Sequence, residues 1–100
     1  MNIWVIYDIE STPAGQKRRR KIVKEIESFG LCRVQKSVFV GEIPRNRFDE
    51  LDLFSQSLID PEKDSVYLFP MCTEDFNAVK IIGLGFDKKL VTGQVHRLIF

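Results

Sequence analysis

The sequence predicts an α+β domain: an antiparallel sheet carrying two helices on one face, in the ferredoxin-like order strand, helix, strand, strand, helix, strand. Three observations carry that prediction. Residues 3–9 (IWVIYDI) and 65–69 (SVYLF) are dense in apolar, β-branched and aromatic residues, as interior strands require. Residues 16–29 and 44–59 repeat their apolar residues at helical spacing. Residues 31–43 alternate with a period of two instead.

Taken in order, residues 3–9 read as a central strand buried on both faces. Residues 10–15 (ESTPAG) read as a loop, with Pro13 and Gly15 as its breakers. Ile22, Val23, Ile26 and Phe29 then form one apolar stripe, and Gly30 sits where a left-handed cap ends a helix. Lys17, Arg18, Arg19, Arg20 and Lys21 crowd its first turns, where the macrodipole favours acids. As one strand, residues 31–43 would exceed the usual five or six residues, roughly, of a strand, so a break near 35–37 is expected. Cys32, Val34, Val38 and Val40 fall on one face of that stretch, and Arg33, Gln35, Ser37 and Phe39 on the other.

Pro44 suits the first position of a second helix, whose stripe is Phe48, Leu51, Phe54 or Ser55, Leu58 and Ile59. Residues 60–64 are a polar connection, and Pro70 is expected to stop the strand 65–69. That strand and 3–9 are the two candidates for the middle of the sheet. Past Met71, residues 79–84 and 95–100 are candidate short strands. Gly83-Leu84-Gly85 is not a dinucleotide fingerprint, because no GxGxxG opens a helix after a strand.

One hundred residues hold a single domain, 1–100, with the residues after about 85 a tail expected to pack on the sheet or on a partner subunit. At 44% hydrophobic and 29% charged, the composition excludes a disordered chain. The net charge is +1, so any nucleic-acid surface must come from local clustering of the 15 Lys and Arg. No apolar run approaches the roughly 20 residues that span a bilayer, and the amino terminus lacks the basic region of a signal peptide. Cys32 and Cys72, without CxxC spacing or a nearby His, read as two reduced, buried thiols in a cytoplasmic protein. His96, the single histidine, is assigned no catalytic role. The apolar end, Leu98-Ile99-Phe100, is expected to be buried. With both helices on one side, the other face of the sheet needs a cover, which makes a homodimer the expectation.

Asp8 is the first functional candidate, because a carboxylate near the end of a buried strand is costly unless paired, hydrogen-bonded or metal-bound. It either caps the following loop or pairs with an Arg, or it belongs to a site. The cation run has two readings as well, a solvated helix face or a surface aimed at a polyanion.

Four landmarks then coincide. They are Tyr7-Asp8 at the end of the first strand, a basic first helix ending at Gly30, residues 33–41 (RVQKSVFVG) and, more weakly, residues 64–69 (DSVYLF). Together they resemble the small nuclease-like protein of CRISPR adaptation modules, the family named CRISPR-associated protein two. The resemblance covers residue 1 to about residue 85. It implies a ferredoxin-like homodimer that joins the CRISPR integrase in acquiring spacers. Several members are metal-dependent endonucleases acting on single-stranded RNA or on duplex DNA. Asp8 matches the family's metal-binding Asp, and Tyr7 its neighbour in the catalytic site. Arg33 and Phe39 match the functional Arg and Phe of the third motif, with Ser37 beside them. The loop 10–15 is longer than the family's, so Arg18, Arg19 and Arg20 are all candidates for its nucleic-acid-binding helix arginines. The carboxy-terminal strand, which in the family crosses to the partner subunit, matches poorly.

The resemblance implies Mg²⁺ or Mn²⁺ shared by two Asp8 side chains at a dimer seam, since hard cations take oxygen ligands, usually one or two carboxylates with water and phosphate. Arg33 and the helix arginines would hold flanking phosphates, and Phe39 would stack on a base unless it belongs to the core. Tyr7 has the same alternative of simple packing. Three other readings remain open: a non-catalytic DNA-binding scaffold of the integrase complex, a toxin-like ribonuclease of the same fold, and a small-molecule regulatory module. The last leaves the basic helix and RVQKSVFVG unexplained.

Overall fold

The computed structural model describes residues 1–83, 85 and 86. Its elements are β1 (Asn2–Asp8), α1 (Pro13–Ser28), β2 (Cys32–Gln35), β3 (Val38–Glu42), α2 (Arg45–Leu58), β4 (Ser65–Met71) and a short α3 (Thr73–Ala78). The sheet order is β2-β3-β1-β4, with every neighbouring pair antiparallel. This is the ferredoxin-like arrangement expected from the element order.

Strand periodicity sorts β1 into two faces. Ile3, Val5 and Tyr7, with Ile9 just beyond, are buried against Ile22 and Ile26 of α1 and Leu51 of α2. Phe39 lies opposite Val5 in register and joins the same core. The other face carries Trp4, Ile6 and Asp8 and is only partly covered, so β1 is central but not buried on both faces. Val40 and Phe69 flank Trp4, while Val38 and Tyr67 flank Ile6. Phe76 of α3 and Phe86 lean on the Trp4 ring, at centroid distances of 6.2 and 5.6 Å.

Several expectations are corrected. Pro13 and Gly15 do not break a loop; they open α1. Thr12 is the N-cap, its hydroxyl accepting the Gly15 N–H at 3.0 Å, and Pro13 takes a position where its missing N–H has no helical partner. The cation run therefore starts in the second turn, clear of the strongest part of the dipole. Gly30 does end the helix in the left-handed region, at φ 85°.

The break in residues 31–43 lies where expected, with Ser37 at φ 68° in the turn. A register shift pairs Gln35 with Val38, so Gln35 leaves the Arg33/Phe39 side. Pro44 is the N-cap of α2 rather than its first helical residue, and Ser55, not Phe54, faces inward. β4 is an edge strand among the described residues, not a middle one. Pro70 lies within it opposite Ile3, a place an edge tolerates because one side of such a strand needs no ladder donor. Residues 79–83 form no strand, and α3 was not anticipated. Both thiols, Cys32 and Cys72, are free but exposed, not buried. The expectations for residues 95–100, including His96, lie outside the described residues. No helix among the described residues is long and apolar enough to cross a membrane.

Candidate functional site

Asp8 is the last residue of β1 and is exposed on the open face of the sheet. It lies opposite Ser65 of β4 in register. On the other side, the Tyr7 N–H donates to the Ser37 carbonyl at 3.1 Å, which holds the β2–β3 turn beside the end of β1. The backbones of Asp8, Ser37 and Ser65 thus lie at one end of the sheet. The Tyr7 side chain does not join that of Asp8. Neighbours on a strand project to opposite faces, and its ring is buried in the core, 6.3 Å from that of Phe39.

Of the two readings of Phe39, the structure bears out the core. It is fully buried, so it has no free face on which to stack a base. Its partner Arg33 is exposed on the edge strand and lays its guanidinium over the ring, 5.3 Å from the centroid.

The three helix arginines separate. Arg18 is committed to acids: its Nε donates to Asp64 at 2.6 Å, and its Nη2 reaches Asp64 at 3.2 Å and Glu10 at 3.5 Å. Arg19 donates to the Ile9 carbonyl at 3.3 Å. Arg20 is exposed and makes no ion pair among the described residues. It lines an open groove of about 670 Å³ between the outer side of α1 and the β2 edge. Lys17, Arg19, Lys21, Lys24 and Arg33 share that groove, with Glu27 its one acid. The groove is a concentration of positive charge that the net charge of +1 conceals. Lys24 was missed from the sequence, although Lys17, Arg20 or Lys21, and Lys24 follow helical spacing.

Asp64 is the second residue whose importance the sequence left unstated. Its side chain is inaccessible, and it accepts the backbone N–H groups of Glu10 and Asp60, both at 2.9 Å, as well as Arg18. The hydrogen bond from Arg18 holds its carboxyl well below the usual carboxylate range against the opposing effect of burial, and the two amides add to the lowering.

Among the described residues, no group of three or more His, Cys, Asp or Glu could hold a metal ion. Mg²⁺ asks for fewer protein ligands than such a group, since it keeps several waters and takes one or two carboxylates besides phosphate oxygens, and Asp8 is an exposed carboxylate.

Comparison with known proteins gives a consistent result. The family model for CRISPR associated protein Cas2 matches residues 1–79. A CRISPR-associated endonuclease Cas2 of Halalkalibacterium halodurans is 36% identical over 84 residues, covering 83% of this chain and 86% of the relative. A CRISPR-associated endoribonuclease Cas2 of Desulforudis audaxviator is 33% identical over 82 residues, covering 82% and 74%. The crystal structure of Streptococcus pyogenes Cas2 at pH 6.5 superposes with a TM-score of 0.72 at 30% identity, covering 83% of this chain and all of that one.

Proposed function

The chain belongs to the CRISPR associated protein Cas2 family, and from that premise we propose that it is a homodimeric, metal-dependent endonuclease of CRISPR adaptation with Asp8 of each protomer at the reactive centre. Relatives named as an endonuclease and as endoribonucleases support nucleic-acid cleavage as the chemistry. The observation that carries the reading is the placement of Asp8. Its carboxylate is exposed on the open face of the sheet, the face that also bears an uncovered apolar patch.

That patch is formed by Ile6, Val38, Tyr67 and Phe69, with the Tyr67 and Phe69 rings stacked 6.2 Å apart and both side chains well exposed. The Trp4 indole N–H on the same face is buried and finds no acceptor among the described residues. A second copy seated there about a two-fold axis would cover the patch and bring two Asp8 carboxylates to one seam. Two like charges at a seam repel unless a cation lies between them. Mg²⁺ or Mn²⁺ held there would supply a water of lowered pKa and charge stabilisation on the phosphoryl group. The residues of this chain bind and orient: Asp8 holds the cation, while Arg20, Arg33 and the lysines of the α1 groove hold the nucleic-acid backbone.

The test is cleavage of labelled RNA and duplex DNA by wild type and Asp8→Asn, each with Mg²⁺, with Mn²⁺ and with chelator. Metal-dependent cutting by the wild type alone supports the reading. Equal cutting by both proteins rejects it.

A second reading, a non-catalytic DNA scaffold for the CRISPR integrase, is favoured by the groove itself, which lies along α1 and β2 and does not include Asp8. Under it, Asp8→Asn leaves duplex binding and spacer acquisition intact.

A further inference from the structure

Neither reading gives Asp64 a task, yet Asp64 gathers more hydrogen bonds than the other described carboxylates. Oδ1 accepts from the Glu10 N–H and from Nη2 of Arg18, while Oδ2 accepts from the Asp60 N–H and from Nε of Arg18. The fork of an arginine side chain matches the two oxygens of one carboxylate, which fixes direction as well as distance. Three segments meet on this one group: the chain leaving β1, the second turn of α1 and the turn that leads into β4.

The chain leaving β1 is held again by its neighbours. Nη2 of Arg18 reaches Glu10 Oε2 at 3.5 Å, and the same oxygen accepts the Thr12 hydroxyl at 3.2 Å. Arg19 donates to the Ile9 carbonyl. Here Ile9 is held through its carbonyl and Glu10 through its amide, and these are the two residues directly after Asp8.

We propose that Asp64 and Arg18 are a positioning pair that holds the chain immediately beyond Asp8 and so fixes the backbone from which the Asp8 carboxylate projects. Arg18 is then a structural cation, and the α1 residues that face phosphate are those of the groove. The proposal rests on the reading of Asp8 as the reactive carboxylate. Its energetic sense is that a misplacement of about 1 Å at a reacting group costs about 100-fold in rate.

The test uses the full chain. Asp64→Asn, Arg18→Gln and Arg18→Lys are compared with wild type and with Arg20→Gln as the groove control. Expected for Asp64→Asn and Arg18→Gln is a fall in kcat of at least about tenfold, with KM and the salt slope of duplex binding unchanged. Arg18→Lys keeps the charge but loses the fork, and recovers part of the rate. Arg20→Gln instead lowers the salt slope by about 0.9, the value of one phosphate contact.

An Arg18→Gln variant with normal kcat and a salt slope lowered by about 0.9 overturns the proposal, since Arg18 is then a phosphate ligand. Loss of thermal stability with unchanged kcat overturns it also. If Asp64→Asn does not fold, Arg18→Lys decides by the same split between kcat and KM.

If the wild type cuts neither substrate, the catalytic reading fails and the positioning is read from amide exchange instead. Faster exchange at Glu10 in Asp64→Asn, by about tenfold or more with Val5 unchanged, upholds the pair. Equal exchange at Glu10 in both proteins overturns it.

Discussion

Phe39 and Arg33 sit across from each other on the β2–β3 hairpin, and the fold gives them different surroundings. The ring belongs to the core and the guanidinium to the surface. Truncating the ring removes a fully buried side chain, so Phe39→Ala is expected to cost about 3–5 kcal/mol in urea unfolding. Arg33→Gln is expected to cost less than about 1 kcal/mol, because the residue is exposed. Loss of nucleic-acid binding in Phe39→Ala would therefore report unfolding, whereas loss in Arg33→Gln would report a phosphate contact. Period two in residues 31–43 put Phe39 and Arg33 on one face in the sequence. That this face is the core side followed only when β3 paired with β1 and set Phe39 opposite Val5.

Among the elements, α1 begins differently from its composition. Thr12-Pro13 forms an N-cap and first position, and Gly15 is buried in the first turn, where a Cβ would overlap the Glu10 carbonyl. Close approach of the β1 exit to the helix start requires glycine there. Thr12→Ala is expected to lower stability by about 1 kcal/mol through the lost cap. Gly15→Ala is expected to cost more, by displacing residue 10 and with it the hydrogen bond to Asp64. Thermal melts of the two variants rank these effects. The helix start was hidden because Pro and Gly break helices in the interior and serve them at the first turn; only a cap bond tells the two situations apart.

For the whole molecule, the uneven sheet decides most. One face is closed by α1 and α2, while the other leaves Tyr67 and Phe69 in solvent. If a second copy covers that face, Tyr67→Asp with Phe69→Asp is expected to give a folded monomer in sedimentation equilibrium where the wild type is a dimer. Folding should survive because both side chains are exposed within one chain. The clamp at Asp64 gives a pH dependence. Its carboxyl is lowered in the folded chain, so below about pH 4 the unfolded chain binds the extra proton and stability falls. Above that range the contribution is present in full. Wild type is therefore expected to lose melting temperature more steeply than Asp64→Asn between about pH 4 and pH 2.5.

The sequence by itself determined the class of fold, the hairpin break, the helix stripes and the carboxylate at the end of the central strand. Each rests on local periodicity and on the cost of burying a charge, both of which are written along the chain. Tertiary structure alone decided that β4 is an edge, that Tyr7 and Phe39 are core, and that Arg18 serves Asp64 across 46 residues while Arg20 faces the groove. Those outcomes depend on which strands pair and which helix face meets which loop. Three consecutive arginines are alike in sequence, and the partner each one finds depends on where the folded chain directs it.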